Sequence, residues 1–157
     1  MSVTPEALLE ACRTAGVTLV TAESCTGGMV SSALIDIAGS SDVVLGGVVA
    51  YSNGIKRDVL GVREETLKAH GAVSEETAIE MATGALARLG AEVAVGITGV
   101  AGPGGSGSKP EGMVCFAVTR RGGETRAETC QFGALGRNAV RAASRDQAFE
   151  MIRGLLD

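Results

Sequence analysis

Tryptophan is absent from this chain, and only three phenylalanines and one tyrosine stand among its 157 residues. Binders of single-stranded nucleic acid stack bases on aromatic rings along a basic groove. At a net charge of -4 this chain has neither feature, so no nucleic-acid partner is expected. It has a single histidine, His70, with no cysteine or second histidine beside it. A transition-metal centre would therefore lack ligands, and neither a metal nor a cofactor is expected. The four cysteines, Cys12, Cys25, Cys115 and Cys130, form no CxxC pair and no zinc-like spacing. Read as reduced thiols, they point to the cytoplasm. No apolar run approaches the roughly 18 residues of a membrane span. The Met1 to Thr14 segment does not resemble a signal peptide, so no membrane partner is expected.

What is present is an apolar, glycine-rich chain, 45% hydrophobic with 23 glycines. Its length suits one domain, residues 1–157, that buries about 68–70% of its extended-chain surface. Thr4-Pro5-Glu6 opens a predicted helix to Ala15, with an N-cap threonine and proline at the first helical position. A buried strand over Thr18 to Ala22 and a helix over Gly27 to Ile37 follow. Val43 to Tyr51, with Gly46 and Gly47 inside a β-branched run, predicts a bulged or bent strand. Helices are predicted over Asn53 to Leu60, Arg63 to His70 and Ser74 to Leu89, then a strand over Glu92 to Thr98. Met113 to Arg120 and Thr125 to Phe132 read as a hairpin, and Arg137 to Leu156 as a closing helix. This order predicts an α/β fold: a three-layer α/β/α domain with a mixed, partly parallel sheet. An exposed edge strand could pair, which makes a homodimer one possible assembly.

Three polar segments would meet at one end of such a sheet. The first is TAESCTGG, Thr21 to Gly28, which sets Ser24, Cys25 and Thr26 between a strand and a helix N-terminus. Backbone N–H groups at Thr26, Gly27 and Gly28 would face an oxyanion there. The second is YSNGIK, Tyr51 to Lys56. The third is the loop from Thr98 to Gly112, whose Gly99, Gly102, Gly104 and Gly105 let backbone amides wrap an anion. Serine needs a base, and His70 has no motif linking it to Ser24. Lys56, at the end of an apolar strand, can serve if burial favours its neutral form. The Tyr51 hydroxyl can bond the serine, the lysine or a substrate. Arg137 and Arg141, four residues apart, share a helix face from which either can clamp a phosphate.

Taken together, TAESCTGG, DIAGSSD, GGVVAYSNGIKRDVLGV, GAVSEETAIEMATGA, GITGVAGPGGSGSKPEG and GRNAVR resemble the C-terminal domain family of the competence/damage-inducible protein CinA. The match spans almost the whole chain. It implies a metal-independent amidohydrolase that converts nicotinamide mononucleotide, a small-molecule substrate, to nicotinic acid mononucleotide and ammonia. Ser24 corresponds to the nucleophile and Lys56 to the base, with Tyr51 assisting. The substrate phosphate would then lie against the Thr98 to Gly107 loop or Arg137. Larger relatives carry a further N-terminal domain associated with pyrophosphate hydrolysis, and this sequence is expected to lack that activity. Gly54 and Ile55 depart from the acidic or small polar residue and alanine of many relatives. Two rival readings stand beside this one. In one, Cys25 is the nucleophile, with Glu23 and Lys56 completing a nitrilase-like set. In the other, the domain binds a nucleotide without turning it over.

Overall fold

The computed structural model describes residues 2–157. Helix α1, Pro5–Ala15, begins where the sequence predicts: the Thr4 hydroxyl accepts the Ala7 N–H at 3.1 Å, and Gly16 ends the helix in the left-handed region at φ 69°. Strand β1, Leu19–Glu23, leads to α2, Met29–Ile35, a one-turn 3₁₀ segment at Ser40–Asp42, and β2, Val44–Val49. Three helices follow, α3 Asn53–Asp58, α4 Glu64–His70 and α5 Glu75–Leu89, then β3, Val93–Gly99. The hairpin β4, Met113–Arg120, and β5, Thr125–Gln131, precedes α6, Arg137–Leu155.

The strand order is β2-β1-β3-β4-β5. β1 is parallel to both β2 and β3, and β3, β4 and β5 run antiparallel to one another, as the predicted mixed sheet requires. The β1 to β2 register slips between Leu19↔Val44 and Val20↔Gly46, which is the bulge that the glycine pair signals. On one face α1, α2 and α6 bury Leu8, Leu9, Leu34, Phe149 and Ile152 against Leu19, Val95, Ile97 and Phe116. On the other, α5 packs Ala78, Met81, Ala82 and Ala85 onto Ala22, Ala94 and Ala117. These small residues let the α5 backbone come close. A Cβ on Gly96 of β3 would sit 2.4 Å from the Ala78 carbonyl oxygen and 2.9 Å from the Ala82 nitrogen.

The chain leaves β1 for β2 on one side and then crosses to β3 on the other. The carboxyl ends of β1 and β3 therefore flank a topological switch point, where open α/β sheets form clefts. Among the described residues, no helix is long and apolar enough to cross a membrane.

Candidate active site

Ser24 is the first residue past β1. Its N–H extends the ladder by donating to the Ile97 carbonyl at 2.9 Å, and the Gly27 N–H turns back onto the Ser24 carbonyl at 3.1 Å. Next to β1, the chain beyond β2 enters α3 through Ser52, whose hydroxyl accepts the Ile55 N–H at 3.1 Å. That cap offsets the helix weakness of Gly54, so the departure at Gly54 and Ile55 leaves a helix in place. From α3 the Lys56 side chain runs beneath the surface, only 2% exposed. Its Nζ lies 3.0 Å from Ser24 Oγ and 3.2 Å from the Tyr51 carbonyl oxygen. Among the described residues no carboxylate pairs with it. Burial holds its pKa below the ordinary lysine value, because the charged form loses its hydration.

Glu23 and Cys25, the neighbours of Ser24, point elsewhere. The Glu23 carboxylate is 1% exposed and accepts from the Thr26 hydroxyl at 2.7 Å, the Val30 N–H at 2.9 Å and the Ser31 N–H at 3.1 Å. It caps α2, and three of its roughly four acceptor sites are filled. Cys25 packs among the core residues of the α1, α2 and α6 face, where burial pushes its thiol up to about 11. A protonated, inward-facing thiol does not suit the cysteine-nucleophile arrangement. His70 lies in α4 beside Glu76, 3.5 Å from its carboxylate, and does not line the site.

A cleft of about 300 Å³ opens over Ser24 and Lys56. Tyr51, Thr98, Gly99, Gly102, Gly104, Gly105 and Arg137 all line it, so the structure brings together most of the residues singled out in the sequence. The Thr98 hydroxyl donates to the Ala72 carbonyl at 2.7 Å and ties the α4 to α5 connection to the cleft wall. Asn53 of the YSNGIK segment also lines it, as do Ala72 and Val73 of GAVSEETAIEMATGA, none of which was singled out as a site residue. The glycine loop is braced from within: the Gly104 N–H donates to Glu111, and Ser106 pairs with Lys109 through both backbone bonds. Among the described residues, Lys56 and Arg137 are the cleft's only cationic side chains, and no carboxylate lines it. Such a lining accepts neutral or anionic ligands.

Two placements differ from expectation. The Tyr51 hydroxyl meets neither Ser24 nor Lys56. The side chain is 64% exposed, and its oxygen accepts a bond from Arg137 Nη2 at 3.0 Å, while Arg137 Nη1 donates to the Gly102 carbonyl at 2.6 Å. Only the backbone carbonyl of Tyr51 touches the lysine. Thr26, Gly27 and Gly28 are not among the cleft-lining residues. Of the three amides expected to face a ligand, only that of Gly27 has a protein acceptor among the described residues, the Ser24 carbonyl, while the following amides of Met29, Val30 and Ser31 go to Thr26 and Glu23. The N–H groups of Cys25 and Thr26 have no protein acceptor among the described residues. Also among these residues, no group of three or more His, Cys, Asp or Glu side chains is placed to hold a metal ion.

Comparison with known proteins adds the following. The family model described as the CinA C-terminal domain matches residues 2–156. A CinA-like protein of Mycolicibacterium gilvum is 51% identical over 143 residues, which cover 90% of this chain and 34% of that protein. One of Thermotoga maritima is 48% identical over 88% of this chain and 34% of its own length. The chain thus spans about a third of the length of these curated relatives. The crystal structure of a competence/damage inducible protein of Agrobacterium tumefaciens, 45% identical, superimposes with a TM-score of 0.90 over the whole of both chains. A CinA superfamily protein of Klebsiella pneumoniae does so with a TM-score of 0.91 at 39% identity, over 95% of this chain and 92% of its own.

Proposed function

Since this chain belongs to the CinA C-terminal domain family, we propose that it is an amidohydrolase converting nicotinamide mononucleotide to nicotinic acid mononucleotide and ammonia. One observation above all supports this reading: a lysine 2% exposed, with no carboxylate partner among the described residues, whose Nζ lies 3.0 Å from a cleft-lining serine hydroxyl.

A neutral lysine amine has one lone pair and two N–H bonds. Donation to the Tyr51 carbonyl uses one N–H, which leaves the lone pair for the Ser24 O–H. Ser24 Oγ gives its proton to Lys56 and attacks the carboxamide carbon. The N–H groups of Cys25 and Thr26, beside Ser24, take the charge that develops on oxygen. The tetrahedral intermediate collapses, and ammonia leaves with the proton from Lys56. A water molecule, deprotonated by Lys56, then attacks the acyl-enzyme, releasing the carboxylate and restoring Ser24. Arg137, braced on Gly102 and Tyr51 at the rim, receives the phosphate.

The test is ammonia release from nicotinamide mononucleotide, in the presence of a chelator, by the wild type, Ser24→Ala and Cys25→Ser. Ser24→Ala falls to background. Cys25→Ser, which puts a hydroxyl into the core, loses about 1–3 kcal/mol of stability but retains turnover. Turnover by Ser24→Ala, or its loss in a folded Cys25→Ser protein, would overturn the serine mechanism. Calorimetric binding of the nucleotide without ammonia release would replace the enzyme by a binding module.

A further inference from the structure

Arg141 stands one helical turn beyond Arg137 on α6, yet the two guanidinium groups do different things. Arg137 reaches into the cleft. Arg141 is half-buried and has no ion-pair partner among the described residues. Its donors go to backbone carbonyls instead: Nε to Cys25 at 2.9 Å and Nη2 to Thr26 at 3.2 Å, with Nη1 3.4 Å from the Asn138 side-chain oxygen. Cys25 and Thr26 are the two central residues of the turn that Ser24 opens and Gly27 closes.

In a trans peptide the C=O and the following N–H lie in one plane and point in opposite directions. Holding the Cys25 carbonyl against α6 therefore aims the Thr26 N–H away from α6. Holding the Thr26 carbonyl there aims the Gly27 N–H back, where it meets the Ser24 carbonyl at 3.1 Å. Gly27 makes room for this clamp: its φ is +57°, and a Cβ there would lie 3.3 Å from Arg141 Nη2. We propose that Arg141 is a positioning residue for the Ser24 nucleophile, its planar guanidinium fixing the Cys25–Thr26 and Thr26–Gly27 peptide planes and so the direction of the Thr26 N–H. The proposal rests on the serine amidase reading above. Lysine, a single point charge, cannot hold two carbonyls in one plane.

The full chain is compared with Arg141→Lys, Arg141→Met and Arg141→Ala, and with Arg145→Met, which breaks only the Arg145 pairing with Asp146. Two rates are read: ammonia release from nicotinamide mononucleotide, and phosphonylation of Ser24 by a fluorophosphonate probe, located by mass spectrometry. Both Ser24 labelling and kcat fall about 10- to 100-fold in Arg141→Met, with KM changed less than about threefold. Arg141→Lys falls between it and the wild type, Arg145→Met matches the wild type, and free guanidinium ion below denaturing concentration restores part of the Arg141→Ala rates. Wild-type labelling in Arg141→Met, or a loss that follows the folded fraction and that guanidinium does not restore, overturns the proposal. Absence of ammonia release with labelling still dependent on Arg141 overturns the choice of substrate alone. A wild-type Ser24 that does not label overturns both.

Discussion

Replacing Lys56 with methionine should remove turnover and yet stabilise the fold. At pH 7 an ordinary lysine, with a pKa near 10.4, is neutral in only about one molecule in 10³, and each unit of lowering multiplies that fraction tenfold. Lys56 is 2% exposed, with only the Ser24 hydroxyl and the Tyr51 carbonyl against its nitrogen, and burial lowers its pKa. The lowering makes it a usable base, and it also makes the protonated form a burden on folding. Between its folded-state pKa and the ordinary lysine value the unfolded chain binds the extra proton, so stability rises with pH across that window and is lowest below it. Methionine, of similar length and without charge, removes the penalty, about 1.4 kcal/mol for each unit of lowering. In a chain of this size each kcal/mol moves Tm by about 2–4 °C. The variant should therefore melt above the wild type at pH 7, with the gap closing as pH approaches the ordinary lysine value. Its kcat/KM should fall about 10²- to 10⁴-fold, the usual worth of a general base. Ammonia release at pH 7 and thermal melts from pH 7 upward measure both. A methionine variant that keeps wild-type turnover, or that melts lower at pH 7 with no pH-dependent gap, would refute the reasoning.

Tyr51→Phe should separate anchoring from proton transfer. Losing the hydroxyl that holds Arg137 should raise KM for the nucleotide roughly 2- to 12-fold, the worth of one net hydrogen bond, and leave kcat near the wild type. A large fall in kcat would instead make the hydroxyl a proton relay. Gly96→Ala should cost about 1–3 kcal/mol, because its Cβ would meet helix backbone at 2.4 Å and 2.9 Å and push α5 off β3. Thermal denaturation measures it, and an unchanged Tm would mean that α5 can give way.

Much of the fold was legible because its signals are local. Thr4, Pro5 and Gly16 bound α1, Ser52 and Ser74 cap α3 and α5 from within three residues, and Gly46 and Gly47 mark the β2 bulge. The strand and helix order implied the mixed sheet, and the sheet brought TAESCTGG, Tyr51 to Lys56 and the Thr98 loop to one cleft. Residue types made Lys56 the base to consider, since His70 had no motif beside it, and the family resemblance put Ser24 ahead of Cys25 as its partner. Tertiary structure decided what each group faces. The Lys56 to Ser24 bond joins residues 32 apart, Arg137 to Tyr51 joins residues 86 apart, and Arg141 reaches the Ser24 turn across 115 and 116. No pattern within a few residues encodes such pairs. Likewise, adjacency in sequence made Ser24 and Cys25 look interchangeable, whereas the turn sends one into the cleft and the other into the core. Helix caps and strand periods arise from neighbours along the chain. The burial that lowers a lysine's pKa, and the direction of a peptide plane, arise only when distant elements close around them.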